Sequence, residues 1–358
     1  MLPDFRRLSK HLLAIARSLR YAFPMFRRSL LLAAILISPA FAADKPPASP
    51  EVLKGLHDFF DKTAGSDGSF RPGIDRDYEG ISDSAYSDLA PVAYAVVIHK
   101  TFGWPLPHEA KTKEFLLVRQ QDDGAFVNVA GTVDPKSPAG RAYNTTMALM
   151  ALRGLGEKPR VNPLPVFDVV LKEDYKTLPA YMTSFFPLAY LASGKEIPKD
   201  ADEKIRALMV QTADGYLHEH IASTFHAAHY YRLTNRETPK TAEMLKRVLN
   251  DQKADGSWML NAPARDRHAT FDAVFVLKQL GGDREDCQKA IAKAAAWALS
   301  CRNADGGFGH FPGSTSDADA CYFHMGTLVM AGVLKPTHPL PPDCKLLGWG
   351  HLFPSKDR

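Results

Sequence analysis

Gln252-Lys253-Ala254-Asp255-Gly256-Ser257-Trp258 decides the fold, because its core recurs along the chain. Asp67-Gly68-Ser69-Phe70, Asp123-Gly124-Ala125-Phe126, Asp214-Gly215-Tyr216 and Asp305-Gly306-Gly307-Phe308 repeat it. Successive glycines are 56, 91, 41 and 50 residues apart, and the long step is close to two periods of about 45. One anchor is therefore expected to have decayed, near Glu173-Asp174-Tyr175. The turn has a physical logic. Glycine reaches backbone angles closed to other residues, the aspartate can accept from the backbone beside it, and the aromatic side chain plugs the gap between neighbouring helices.

Outward from each anchor the pattern is helical. Ala110–Gln120 and Ala242–Gln252 carry apolar residues at helical spacing with charge on the opposite face, and each ends in glutamine. These are predicted outer helices. After the anchors come shorter, more apolar segments rich in small residues, such as Tyr143–Leu152, closed by Leu155-Gly156 and Leu280-Gly281. These are predicted inner helices. With no β-rich segment between anchors, each period is one helical hairpin, about six in all.

Gln252-x3-Gly256-x-Trp258 reproduces the Gln-x3-Gly-x-Trp motif of squalene and oxidosqualene cyclases, and Gln120-x3-Gly124-x-Phe126 is a near copy. Over roughly residues 50–335 the chain resembles the prenyltransferase and squalene oxidase repeat family, including protein geranylgeranyl transferase type II β subunits, in a secreted, bacterial-type form. The resemblance implies an all-α fold, an α/α toroid of the α6/α6 type. The expected layout is a signal peptide with N-terminal extension over 1–42, a linker over 43–52, the toroid over 53–335 and a tail over 336–358 that closes the ring.

The leader reading comes from the residues themselves. Met25-Phe26-Arg27-Arg28 precedes the apolar run 29–37 and the small-x-small site Ala40-Phe41-Ala42. The run is too short to span a bilayer, so membrane contact is expected only through this signal, with the mature protein periplasmic or secreted. Translation can start at Met1 or Met25. The leader holds seven Lys/Arg and one Asp, so the formal +4 of the whole chain becomes about −2 in the mature protein. No basic stripe remains, and a nucleic-acid partner is not expected. All four cysteines lie late in the chain, at 287, 301, 321 and 344. Cys287 and Cys301 begin and end one predicted helix, roughly 21 Å apart, too far to bridge. Cys301–Cys321, Cys321–Cys344 and free buried thiols all stay open.

Chemistry is expected where inner helices start, since those helices line the middle of the ring. Ser316-Asp317-Ala318-Asp319-Ala320-Cys321-Tyr322-Phe323-His324 is the richest such start. It resembles two branches of the family. Asp319-Ala320-Cys321-Tyr322 matches the Asp-x-Cys-Tyr of prenyltransferase β subunits, which implies zinc on Asp319 and Cys321, with the downstream His351 expected to complete the set. Asp317-Ala318-Asp319-Ala320 matches the Asp-x-Asp-Asp of class II terpene cyclases except at Ala320, which casts Asp319 as a general acid beside Asp317. Asp317, Cys321 and His324 also share one helix face at i, i+4, i+7. The plain alternative is a helix cap, a buried thiol and a locally bonded histidine.

His226, His268 and His324 fall near corresponding places in three inner segments, and Tyr143 begins another, so these are the expected ligand-binding residues. Tyr181, Phe185, Phe186, Tyr230, Tyr231 and Phe271 could line an isoprenoid-sized apolar space or belong to the core. Phosphate-binding glycine loops, nucleophile elbows and His-Glu-x-x-His are absent from the sequence. Two functions follow. One is a prenyltransferase-like transferase or terpene-processing enzyme acting on an isoprenoid or other apolar ligand, with zinc. The other is a secreted binding toroid without turnover, holding an apolar ligand or a protein partner.

Overall fold

All five anchor turns form in the computed structural model, which describes residues 49–173, 189–190, 195–217, 220–261 and 264–336. The leader, Asp174, Tyr175, Tyr181, Phe185, Phe186, Cys344 and His351 lie outside these residues. Gly68, Gly124, Gly215, Gly256 and Gly306 take φ of 90, 91, 85, 96 and 93°. In each turn the aspartate Oδ1 accepts the amide two residues on, at 3.0–3.4 Å. The residue two past the glycine is buried: Phe70, Phe126, Leu217, Trp258 and Phe308. In the third anchor that place belongs to Leu217, and Tyr216 instead lies under the Arg247 guanidinium, 4.0 Å from the ring centre.

Helices fill the space between anchors. In chain order they are α1 Ser49–Thr63, α2 Asp83–Tyr86, α3 Leu89–Phe102, α4 Glu109–Leu117, α5 Pro138–Gly154, α6 Leu164–Glu173 and α7 Lys199–Leu208. Then come α8 Ile221–Leu233, α9 Thr241–Asp251, a ribbon of β1 Met259–Asn261 and β2 Ala264–Arg265, α10 Arg267–Gly281, α11 Glu285–Ser300 and α12 Ala318–Met330. α9 buries one face, through Met244, Leu245 and Val248. α12 is buried along its whole length. That contrast separates outer from inner helices as the polarity pattern predicts. The inner helices are not consistently shorter, however: α12 has 13 residues against 16 in α11, but α5 reverses the order. Ser137 caps α5 by accepting from Gly140 N, Pro138 starts it, and it runs 17 residues against 9 in outer α4. Gly156 closes it with φ +66°, whereas α10 continues through Gly281 and Gly282 takes the positive φ.

The inner helices pack in sequence, α8 on α10, α10 on α12, α12 on α3 and α3 on α5. The last inner helix thus touches the first, and the anchors close the outer layer in the same way. A Cβ on Gly68 would meet Lys111 of α4, on Gly215 Met244 of α9, and on Gly256 the Lys293 carbonyl oxygen of α11 at 2.4 Å. On Gly306 it would meet the Gly55 carbonyl oxygen of α1 at 2.2 Å, so the fifth anchor rests on the first helix. Arg302–Glu51 at 2.9 Å and the Ser49 hydroxyl on the Val333 carbonyl at 2.9 Å join the same seam. The anchor glutamines lace repeat to repeat. Gln120, Gln211 and Gln252 Nε2 each donate to their own glycine carbonyl and to a carbonyl of the next outer segment, Val161, Pro239 or Ala290. Among the described residues no helix is long and apolar enough to cross a membrane. Cys287, Cys301 and Cys321 are free thiols, so the Cys301–Cys321 pairing is not formed.

Candidate active site

The start of α12 is built by the repeat itself. In four repeats the amide that follows the anchor is received by a side chain on the inner helix: Phe126 N by Thr145 Oγ1, Leu217 N by Thr224 Oγ1, Trp258 N by Thr270 Oγ1 and Phe308 N by Cys321 Sγ. Cys321 therefore stands where the other repeats have threonine. Its sulfur lies 3.2 Å from Phe308 N, and burial pushes the thiol well above its usual range.

This register assigns the remaining positions. Four residues before Cys321, Asp317 caps α12 by accepting from Asp319 N at 2.8 Å; four before Thr270, Asp266 caps α10 by accepting from His268 N at 2.7 Å. Asp319 is thus the counterpart of His268 and, in α5, of Tyr143. His226 falls in register with Asp272 and Phe323. His324 is one residue further round. Its Nε2 meets the Gly309 carbonyl at 3.0 Å, and its ring packs on Trp297 and Phe308, so it does not join the other two histidines. Burial first and then the His268 charge hold His226 far below the ordinary imidazole range, and His268 Nε2 lies 3.5 Å from Asp272 Oδ2.

Asp317 and Asp319 are both fully buried, yet their surroundings differ. A strap from the first repeat crosses the seam onto them. Asp317 Oδ2 accepts from Tyr78 OH at 2.9 Å and Ile81 N at 3.1 Å, and its Oδ1 accepts from Ser84 Oγ at 2.6 Å besides Asp319 N. Burial works to raise this carboxyl, but His310, Ser84 and the Asp319 amide together hold it below the ordinary aspartate value. Asp317 is therefore a fixed anion. Asp319 accepts from Asp83 N through Oδ2 at 3.0 Å, and its Oδ1 faces His310.

His310 is the site residue that sequence reasoning missed. It is 3% exposed, and its Nε2 lies 3.7 Å from Asp317 Oδ2 and 3.8 Å from Asp319 Oδ1, with no hydrogen bond. The three ligand atoms of His310, Asp317 and Asp319 lie within 4.8 Å of one another. The expected zinc set of Asp319, Cys321 and His351 fits less well. Cys321 spends its sulfur on a backbone amide in a site that disfavours thiolate, and His351 lies outside the described residues.

An aromatic wall leads away from the carboxylates. Tyr94, whose hydroxyl donates to Asp83, stacks on Tyr322 with centroids 4.2 Å apart. Burial, then Asp83, Tyr143 and Asp319, raise the Tyr94 hydroxyl far above its usual value, so it stays protonated. Phe323 follows, touching His268 at 4.6 Å and Phe271 at 5.1 Å, and Phe225 continues to Phe271 at 5.6 Å and His226 at 4.8 Å.

Comparison with known proteins agrees with this architecture. Residues 193–349 match the family described as prenyltransferase alpha-alpha toroid domain. No curated protein matches the chain. Among solved structures, protein geranylgeranyltransferase-I from Candida albicans, complexed with GGPP, is similar with TM-score 0.57 at 13% identity, over 76% of this chain and 93% of that one. A type II terpene cyclase from Scytonema gives TM-score 0.49 at 14% identity, over 80% and 98%. ent-Copalyl diphosphate synthase from Streptomyces platensis gives 0.47 at 16%, over 68% of this chain, which spans 50% of that enzyme. Residues 193–349 thus match the prenyltransferase alpha-alpha toroid domain, and the ring of helical hairpins has the fold of the Candida albicans enzyme.

Proposed function

We propose that this is an exported, prenyltransferase-like or terpene-cyclase-like toroid that takes an isoprenoid, or another long apolar molecule, along its aromatic wall, with Asp319 and His310 at the reacting end. The observation that carries this reading is the junction of the two: a buried carboxylate and imidazole at the head of the Tyr94, Tyr322, Phe323, Phe271 and Phe225 series. Aromatic faces stabilise apolar chains by burial and attract developing positive charge. Asp317, already accepting four hydrogen bonds, fixes the geometry, while Asp319 Oδ1 and His310 Nε2 face the reacting atoms. The Candida albicans neighbour holds GGPP, an isoprenoid, in the same fold, which supports the ligand class. Export is supported by the leader sequence of residues 25–42.

The test is titration of the purified protein with geranylgeranyl diphosphate and geranylgeraniol, followed by tryptophan fluorescence and product analysis. Phe323→Ala should weaken binding roughly tenfold or more, on the scale of one lost aromatic contact surface. Asp319→Asn should keep binding and abolish any turnover. Absence of binding by either lipid would overturn the ligand class, and turnover unaffected by Asp319→Asn would overturn the residue assignment.

A further inference from the structure

The reacting end is closed to water. Asp317 and Asp319 are fully buried and His310 is 3% exposed, so a ligand's head can meet them only if a covering segment moves. Two segments reach these residues, the loop 309–316 and the strap 73–84, and they are held differently. The loop is tied by backbone: Gly309 N donates to the Cys301 carbonyl at 2.9 Å, Asp317 N to the Phe308 carbonyl at 2.9 Å, and Gly309 bridges to Ser316. The strap has backbone bonds at its two ends, Ala318 N to the Pro72 carbonyl at 2.8 Å and Thr132 N to the Ala85 carbonyl at 3.0 Å. Between those ends side chains hold it. Tyr78 OH, Ile81 N and Ser84 Oγ donate to the Asp317 carboxylate, Asp83 N donates to Asp319 Oδ2, and the Asp83 carboxylate accepts from Tyr94. Its other side is solvent, with Asp75, Arg76, Asp77, Glu79, Ile81 and Ser82 exposed. The strap is also strained where it is held. Ser82, between the two amides that the carboxylates receive, has φ 58° and ψ −125°, a region open to glycine and costly for other residues. Such a conformation persists only while surrounding bonds enforce it.

We infer that residues 73–84 are a gate over the reacting end, latched by the Asp317 carboxylate, which opens to admit the ligand's head to Asp319 and His310 and closes behind it. The admission of a ligand rests on the proposed reading; the latch and its opening do not. Opening leaves the ring intact, because Asp317 still caps α12 through the Asp319 amide. Water takes the places of the strap's donors on the carboxylate, so opening exchanges hydrogen bonds and unpacks no repeat.

Purified full-length protein without lipid is followed by hydrogen exchange and by carbethoxylation of histidines with diethyl pyrocarbonate, both mapped by mass spectrometry. Tyr78→Phe and Ser84→Ala each remove one donor from Asp317 and leave the inner helices unaltered. In both, exchange over 78–86 and modification of His310 should rise together, roughly tenfold, as for one lost hydrogen bond to a charged group. Exchange in α12 and modification of the buried His99 should stay as in the parent. Stopped-flow fluorescence with geranylgeraniol should show association and dissociation both faster in these variants. Kd should move less than about threefold, since a gate governs passage and not the contacts of the bound state. His310 modified no faster in either variant, or strap amides of the parent exchanging as slowly as those of α12, would overturn the gate. So would faster strap exchange with unchanged association of geranylgeraniol. If geranylgeraniol does not bind at all, the ligand reading falls, and exchange with His310 modification still decides the gate.

Discussion

Replacing Cys321 separates a repeat role from a chemical one. Thr145, Thr224 and Thr270 receive the anchor amide through a hydroxyl, and Cys321 does so through sulfur at 3.2 Å. Cys321→Thr should therefore be tolerated, since its hydroxyl can accept the same N–H. Cys321→Val presents nearly the same shape without an acceptor and leaves the Phe308 amide buried and unpaired. That loss is worth about 1–3 kcal/mol. For a protein of this size it lowers Tm by roughly 2–12 °C, at about 2–4 °C per kcal/mol. Circular dichroism melts of the parent, Thr and Val proteins at one pH and scan rate give the comparison. Equal destabilisation by Thr and Val would refute the reasoning, because the acceptor would then contribute nothing beyond the volume change.

Two further outcomes follow from the fold. Gly256→Val combines a φ of +96° with a Cβ only 2.4 Å from the Lys293 carbonyl oxygen, so it should cost roughly 3 kcal/mol or more, while Gly156→Ala, at +66° with open space around it, should cost about 1; equal melts for the two would contradict the packing of anchor on neighbouring helix. His99 is fully buried among Phe60, Phe70 and Trp104, its Nδ1 bonds the Ala95 carbonyl at 2.7 Å, and burial lowers its pKa to about 4, with His57 and Lys100 adding smaller repulsions. The neutral ring is what the fold accepts, so stability is complete above pH 6.5 and is lost as pH falls toward 4, by about 3 kcal/mol in all. Urea midpoints across that range should show the loss in the parent and not in His99→Gln; the same slope in both would exclude His99 as its source.

The hairpin repeat was legible because every anchor uses the same side chains for the same bonds, whatever surrounds it. The exception shows the limit: Tyr216 looks like the third plug by adjacency to Gly215, but Leu217 has the register and is buried there. The role of Cys321 was harder to read, because the residue receiving the anchor amide lies 19, 7, 12 or 13 positions downstream in the four repeats. Connecting loops absorb those differences, so no fixed spacing marks it. His310 sits in one such loop. Two of the strap's contacts come from the backbone amides of Ile81 and Asp83, more than 230 residues away in sequence, and a backbone amide leaves no residue signature.

The two aspartates show why the motif alone left their division open. Asp317 and Asp319 are chemically identical and two residues apart, and either could fill a carboxylate role in the family's motifs. The repeat separates them. Asp317 occupies the cap position that Asp266 holds in α10, four residues before the amide acceptor in both helices, and a cap is committed to its own backbone. Asp319 occupies the position of His268 and Tyr143, which the scaffold leaves to residues of varied chemistry. A position that is an acid, an imidazole and a phenol in three copies of one hairpin is not needed by the hairpin. Whatever this protein does with its ligand, the difference between repeats at that position is where to look, and the fixed bonds of Asp317 are what hold it in place.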